Sequence, residues 1–316
     1  FVRMPQKIAA SVSEGVHFLS TNGAGLRLNF TTNSKTLRLY VRESCFCRMQ
    51  HMALTGSTGF VLCSREGTEK KTVFRGVLCP EWDFGDDFEV AVNLDGELRD
   101  YVLYFPLYSS VESLEVELDD DAYLGSGAEY KNLPPVLYYG SSITQGGCAS
   151  RADNSYEELI CERTGVDYIN LGFSGNGRAE PPIVNYMASL DMLAFVSDYD
   201  HNAPSVDFLR DTHQRMYEII RAAHPDIPYL MISRCDFHGG EDDCLRRDVV
   251  IDTYRFARKQ GDKNAFYIDG EGIFHGPDED SCTVDGSHPT DIGMLKMADA
   301  IGRKLERALR GKKLGD

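Results

Sequence analysis

The stretch "LYYGSSITQGGCASR", Leu137 to Arg151, runs an apolar segment straight into glycines and small hydroxyl-bearing residues. Gly and Ser make turns, and they also place a hydroxyl where chemistry needs one, so the surroundings must decide. Strand-like runs at Val136 to Tyr139, Tyr168 to Phe173, Leu193 to Tyr199, Tyr229 to Ser233 and Ala265 to Ile268 alternate with helical patterns. The helical patterns include "SYEELICERTG" (155–165), "VDFLRDTHQRMYEIIRAAHP" (206–225), "VVIDTYRFARKQG" (249–261) and "IGMLKMADAIGRKLERAL" (292–309). Strand and helix in rotation require crossover connections, hence an α/β domain with a parallel sheet covered on both faces. A ligand then sits beyond the carboxyl ends of the strands, which makes the turn after Tyr139 a functional position.

Ahead of "GSGAEYKNLPP" (125–135) the period changes to two. "GLRLNFTTNSKTLRLYVRES" (25–44) alternates apolar and polar positions across "TTNSK", the turn chemistry expected of a hairpin. Residues 57–79, 87–107 and 110–124 repeat the pattern at short spacing with no amphipathic helix between them, which is the signature of an antiparallel β-sandwich. At 316 residues with 42% hydrophobic content, the chain is long enough for two cores. The expected division is a jelly-roll-like sandwich over residues 1–128 and an α/β domain over 129–316.

A net charge of -16 repels phosphates and anionic membrane surfaces, which disfavours nucleic acid and membrane as partners. "FVRMPQKIAASVSEG" (1–15) lacks the basic and apolar regions of a secretory leader, and nine cysteines without paired spacing suggest the reduced thiols of a cytosol. A cytoplasmic location is the expectation. Cys45, Cys47 and His51 lie close in sequence, but a one-residue gap is not zinc-ligand spacing, so neither a metal nor any other cofactor is expected. His213 and His224 read as surface residues, and the basic tail 303–313 as a solvated helix end.

Four segments stand at the strand ends or enter the last helix: Gly140-Ser141-Ser142-Ile143-Thr144, Gly172-Phe173-Ser174-Gly175-Asn176, Asp200-His201-Asn202 and Asp285-Gly286-Ser287-His288-Pro289. Together they supply a serine, a glycine amide, an asparagine amide and an Asp/His pair, the inventory for acyl transfer. A serine hydroxyl needs an imidazole to take its proton, and the imidazole needs a carboxylate to fix its tautomer. An oxyanion also needs fixed donors, which the Ser142 and Gly175 amides and the Asn202 side chain would provide. No Gly-x-Ser-x-Gly elbow, phosphate loop or dinucleotide fingerprint occurs.

At this point "GSSIT", "NLGFSGNG", "DYDHN" and "DGSHP" resemble the four blocks of the SGNH (GDSL-type) hydrolases. The resemblance implies a three-layer α/β/α flavodoxin-like domain and assigns Ser142 as nucleophile, Gly175 and Asn202 as oxyanion donors, and Asp285 and His288 as the acid–base pair. It extends to the first domain, where "TTNSKTLRLYV", "GSTGFVLC" and "YVLYFPLYSSVESLEVEL" look like the sandwich preceding the hydrolase in one bacterial branch. The chain departs from the family at Ser141, where Asp is usual and which stands as the fallback nucleophile, and at Asp200-His201-Asn202-Ala203, where Gly-x-Asn-Asp is common. It departs again at Gly59-Phe60-Val61-Leu62-Cys63, in place of Gly-x-Asp-Leu-Tyr.

The resulting expectation is a serine esterase acting on a small ester, a short acyl group on a carbohydrate fitting best. An acyltransferase using the same site and a non-catalytic carbohydrate-binding protein are the alternatives. Ser141, Arg151, Arg178 and His201 are the candidate substrate contacts. Trp82, Tyr101, Tyr104 and Tyr108 are the aromatics a sugar-binding sandwich would use.

Overall fold

The computed structural model describes residues 1–45, 47–67, 71–82, 85–235 and 238–310; residues 311–313 of the basic tail lie outside the described residues. Eight strands, β1 (Arg27–Thr32), β2 (Thr36–Cys45), β3 (Phe60–Glu66), β4 (Lys71–Leu78), β5 (Asp87–Asn93), β6 (Arg99–Tyr104), β7 (Ser110–Leu118) and β8 (Leu124–Gly125), form two antiparallel sheets. Their orders are β4-β3-β6-β1-β8 and β5-β2-β7. Phe30, Leu37, Leu39, Phe60, Leu62 and Leu103 interleave between the sheets as one core.

The "TTNSK" link is not a hairpin. β1 pairs with β6 and β8, whereas β2 pairs with β5 and β7, so the chain crosses from one layer to the other there. The crossing is held by Ser34 Oγ donating to Thr36 O (2.6 Å) and Lys35 N donating to Asp119 Oδ2 (2.7 Å). Turn-forming residues specify that the chain bends, and packing chooses its partner.

"FVLC" (60–63) is buried at every position because its sheet is covered twice. Phe60 and Leu62 face the sandwich core, while Val61 and Cys63, with Val102 and Tyr104, pack on the second domain. Arg27 crosses the same interface, donating to Glu158 Oε2 (3.2 Å), Asp167 Oδ1 (2.7 Å) and Tyr168 O (3.1 Å). Tyr104 adds a hydrogen bond to Glu158 Oε1 at 2.9 Å.

The second domain contains β9 (Val136–Gly140), β10 (Tyr168–Gly172), β11 (Ala194–Asp198), β12 (Tyr229–Ile232) and β13 (Ala265–Ile268), all parallel in the order β10-β9-β11-β12-β13. That is the flavodoxin-like order. Alternate residues of β9 serve opposite cores, Val136 and Tyr138 on one face and Leu137 and Tyr139 on the other. Among the described residues the α-helices are α1 (Gln6–Val12), α2 (Glu14–Leu19), α3 (Leu54–Ser57), α4 (Ser142–Gln145), α5 (Tyr156–Thr164), α6 (Pro181–Ala188), α7 (Val206–Ala223), α8 (Glu241–Lys259) and α9 (Asp291–Leu309). α5 and α9 cover one face of the sheet, and α6, α7 and α8 the other.

Three helical features go beyond the sequence reading. α1 and α2 precede the sandwich, yet Ala9, Val16 and Leu19 from them, with Met4 just before α1, enter the core that includes α6 and α7. Arg3, buried there, donates to Gly172 O (2.8 Å) and Leu19 O (2.6 Å). α8 begins at Glu241 rather than near Val249: its first turn is Glu241, Asp242 and Asp243, charges that suit a helix N-terminus but carry no apolar period. His213 is buried rather than exposed, with Nδ1 against Thr253 Oγ1 (2.8 Å), and burial lowers its pKa to about 4.

All nine cysteines are free. Among the described residues, no helix is long and apolar enough to cross a membrane.

Candidate active site

β9 ends at Gly140, a position that only glycine fits: a Cβ there would lie 2.1 Å from Thr144 Oγ1 and 2.3 Å from Asp198 O. Ser141 then caps α4, its Oγ accepting from Ile143 N at 3.1 Å, and its own N–H donates to Asp198 O at 3.0 Å. Ser141 Oγ is thus engaged in the turn, whereas Ser142 Oγ lies 2.9 Å from His288 Nε2. The Ser142 carbonyl accepts from Tyr108 Oη at 3.0 Å, and Gln145 Nε2 donates to Asn22 Oδ1 at 3.0 Å. The turn carrying Ser142 is therefore clamped by residues N-terminal to the α/β domain.

The loop before α9 supplies the other side. His288 Nδ1 meets Asp285 Oδ2 at 2.8 Å, while Asp285 Oδ1 accepts from the backbone N–H groups of Ser287 (3.0 Å) and His288 (2.8 Å). Burial alone would raise the Asp285 carboxyl, but the backbone and ring hydrogen bonds from His288, with its charge, outweigh it and hold the group below the usual carboxylate range. Hydroxyl, imidazole and carboxylate stand in hydrogen-bonded series, the arrangement that makes a hydroxyl nucleophilic.

Gly175 follows β10 with φ +67°, a left-handed conformation that glycine adopts without strain. Asn202 Nδ2 donates to Phe173 O at 3.0 Å, which fixes the side-chain amide and leaves its second N–H for the pocket. Among the described residues, the Ser142 and Gly175 backbone N–H groups donate to no protein acceptor. All three line a cavity of about 390 Å³ together with His288.

Of the candidate substrate contacts, His201 and Ser141 line this cavity. Arg151 does not: it pairs with Asp153 (3.0 Å) and lies over the Phe74 ring at 4.3 Å. Arg178 folds back, donating to Gly175 O at 2.9 Å, and so holds the loop rather than lining the cavity. Tyr101, Tyr104 and Tyr108 are core residues, and of the four sandwich aromatics only Trp82 is exposed.

The structure brings further residues to the cavity and its surroundings. Arg234, two residues after β12, donates from its backbone to Asp200 Oδ2 (3.1 Å) and from its guanidinium to His201 Nδ1 (3.0 Å) and Gly286 O (3.3 Å). Strand-end position was a sufficient signal for it. Asp198 lies buried in the floor; burial and then the Asp200 charge push its carboxyl up to about 8, with Arg234 opposing. Burial lowers the His201 pKa, although Asp200 works the other way. His51, from the sandwich, brings its ring centroid to 5.2 Å from that of His288, and nothing local in the sequence signals it.

A wider depression of about 470 Å³ lies on the outer face of the three-stranded sheet. Its Arg42 and Asp87 satisfy each other at 2.7 Å, so it presents paired charges rather than a reactive group.

The GDSL-like lipase/acylhydrolase family matches residues 134–306, and the N-terminus of SGNH-hydrolase-type esterases matches residues 1–124. A Bacteroides ovatus protein described as a GDSL-like lipase is 28% identical, with 98% of this chain and 92% of that one covered at a TM-score of 0.89. The salicylyl-acyltransferase SsfX3 from a tetracycline biosynthetic pathway shares the fold at 19% identity, covering 99% and 92% of the two chains with a TM-score of 0.77. A family two carbohydrate esterase from Clostridium thermocellum, solved with cellohexaose, shares it at 10% identity, 92% and 94% coverage and a TM-score of 0.66. No curated protein matches the chain. With more than half its residues matched by one family model, the chain belongs to the GDSL-like lipase/acylhydrolase family.

Proposed function

We propose that the chain is a serine esterase that removes a short acyl group from a small polar alcohol through an acyl-serine intermediate. The observation that carries the reading is the hydrogen-bonded series Ser142 Oγ, His288 Nε2, His288 Nδ1, Asp285 Oδ2 at 2.9 and 2.8 Å. His288 takes the Ser142 proton as Oγ attacks the ester carbonyl, and Asp285 holds the ring in the tautomer that accepts at Nε2. The Ser142 and Gly175 N–H groups and the Asn202 amide receive the charge that develops on the carbonyl oxygen. His288 then gives its proton to the leaving alcohol, and the reverse sequence with water frees the acid.

The cavity supports a small, polar substrate. Asp198, Asp200, His201, Asn202 and Arg234 line it, and Ile143 is its apolar member, which leaves little surface for a long acyl chain. A sugar hydroxyl as the alcohol fits this lining, in keeping with the fold shared with carbohydrate esterases.

The test is hydrolysis of p-nitrophenyl esters of increasing acyl length and of acetylated sugars by wild type and Ser142→Ala. Loss of turnover by at least about 10³-fold in a folded variant is expected, with acetyl preferred. Retained turnover would refute the assignment. An alcohol added as acceptor distinguishes hydrolysis from transfer through the product formed.

A further inference from the structure

Two groups beside His288 have no part in the proposed chemistry. His51 is exposed on the segment leading into α3, and Cys148 is buried just beyond α4, where its backbone N–H donates to Pro289 O at 3.0 Å and so ties it to the His288 loop. A ring nitrogen of His51, Cys148 Sγ and a ring nitrogen of His288 all lie within 4.8 Å of one another. They come from three separate segments, one in the sandwich and two in the α/β domain. His51 thus stands with Cys148 and His288 in space.

Two imidazoles and a thiolate are a donor set suited to zinc, with a water as fourth ligand. Zinc bonds of about 2.0–2.3 Å bring such donors closer together than they stand here, so binding requires the side chains to swing inward. His51, at the surface, has room to do so.

We propose that His51, Cys148 and His288 form an inhibitory zinc site whose occupation withdraws His288 from Ser142. The inference rests on His288 acting as the base. Both nitrogens of that ring are already engaged, Nδ1 with Asp285 at 2.8 Å and Nε2 with Ser142 at 2.9 Å. A metal on either one therefore breaks the series, and the carboxylate on Nδ1 makes Nε2 the stronger donor. On binding, the Cys148 thiol releases its proton to solvent and the sulfur takes the metal in its place. No electron transfer is involved, and chelation reverses the step.

The test measures metal binding and turnover separately on the full chain. Zinc affinity is read by competition with a chromophoric chelator, and cobalt(II) is added to look for a thiolate-to-metal absorption band. One equivalent is expected to bind and to inhibit ester turnover in parallel, with activity restored by chelator. His51→Ala, a surface change, is expected to keep metal-free turnover and to weaken both binding and inhibition at least about tenfold. Cys148→Ser is expected to abolish the cobalt–thiolate band. Failure to bind one equivalent, or binding unchanged in His51→Ala, overturns the site. Binding that depends on His51 but leaves turnover untouched, or stimulates it, overturns the inhibitory role. A metal-free wild type with no ester turnover refutes the esterase reading instead, while the chelator competition still decides the site.

Discussion

Tyr108, from the segment between β6 and β7 of the sandwich, donates its hydroxyl to the carbonyl oxygen of Ser142 at 3.0 Å. The contact joins the first domain to the residue proposed to attack the ester. Gly147 N also donates to that carbonyl, at 2.9 Å, so removing the phenol leaves it partly satisfied. Tyr108→Phe is expected to cost about 1 kcal/mol in denaturant unfolding. A loose turn misplaces Oγ, so kcat should fall severalfold with KM held. An unchanged kcat would mean that α4 keeps its position unaided.

The proposed series makes unequal demands on its members. Asp285→Asn preserves the shape but offers the wrong tautomer to His288, and kcat should drop by about 10⁴-fold. Asn202→Ala removes one of three donors, for which a fall of about 10²- to 10³-fold is expected. Steady-state kinetics with p-nitrophenyl acetate, alongside circular dichroism to confirm folding, checks both.

Glu43 is fully buried in the sandwich, where burial pushes its carboxyl up to about 8 and the Ser109 hydroxyl opposes only in part. The folded protein thus keeps a proton that the unfolded chain gives up above about pH 4.5. Stability from this group is complete in acid and lost as pH rises through 8, at no more than about 1.4 kcal/mol per pH unit. Glu43→Gln should flatten that decline. Urea midpoints measured from pH 5 to 8 would show wild type and variant converging at the acid end.

Arg27 and Glu158 are both nearly inaccessible at the domain interface, with side-chain exposures of 7% and 0%. Arg27→Ala leaves Glu158 charged and buried without its cation, and about 3–5 kcal/mol of stability should go with it. Adding Glu158→Gln should restore a substantial part, because the stranded charge is then gone. A double-mutant cycle by denaturant unfolding measures the coupling.

The fold was legible where the chain announces itself through period. The five strands from β9 to β13 are short apolar runs between helical patterns, and each lies close to its sequence-derived limits. The small-residue turn at Gly140 and the Asp-x-x-His at 285–288 were readable for the same reason: their chemistry is local. Ser142 and His288 meet because the parallel sheet carries both segments to one edge. What escaped was convergence from a distance. His51 reaches His288 from another domain, and no residue near either one encodes that approach. The crossing at residues 32–36 escaped because turn residues do not say which sheet comes next. Arg234 was within reach, since it follows a strand end as Ser141 and Asp200 do.

The burial of Met4, Ala9, Val16 and Leu19 beneath α6 and α7 bears on how the polypeptide is made. Translation delivers α1 and α2 before the sandwich, but their seat includes Ile183 and Met187, which leave the ribosome more than 160 residues later. Until then these four apolar side chains lack that part of their seat. Trimming or rigidly tethering the first twenty residues would therefore injure the domain that emerges last, and a nascent chain paused near residue 130 would expose a greasy leader calling for a chaperone.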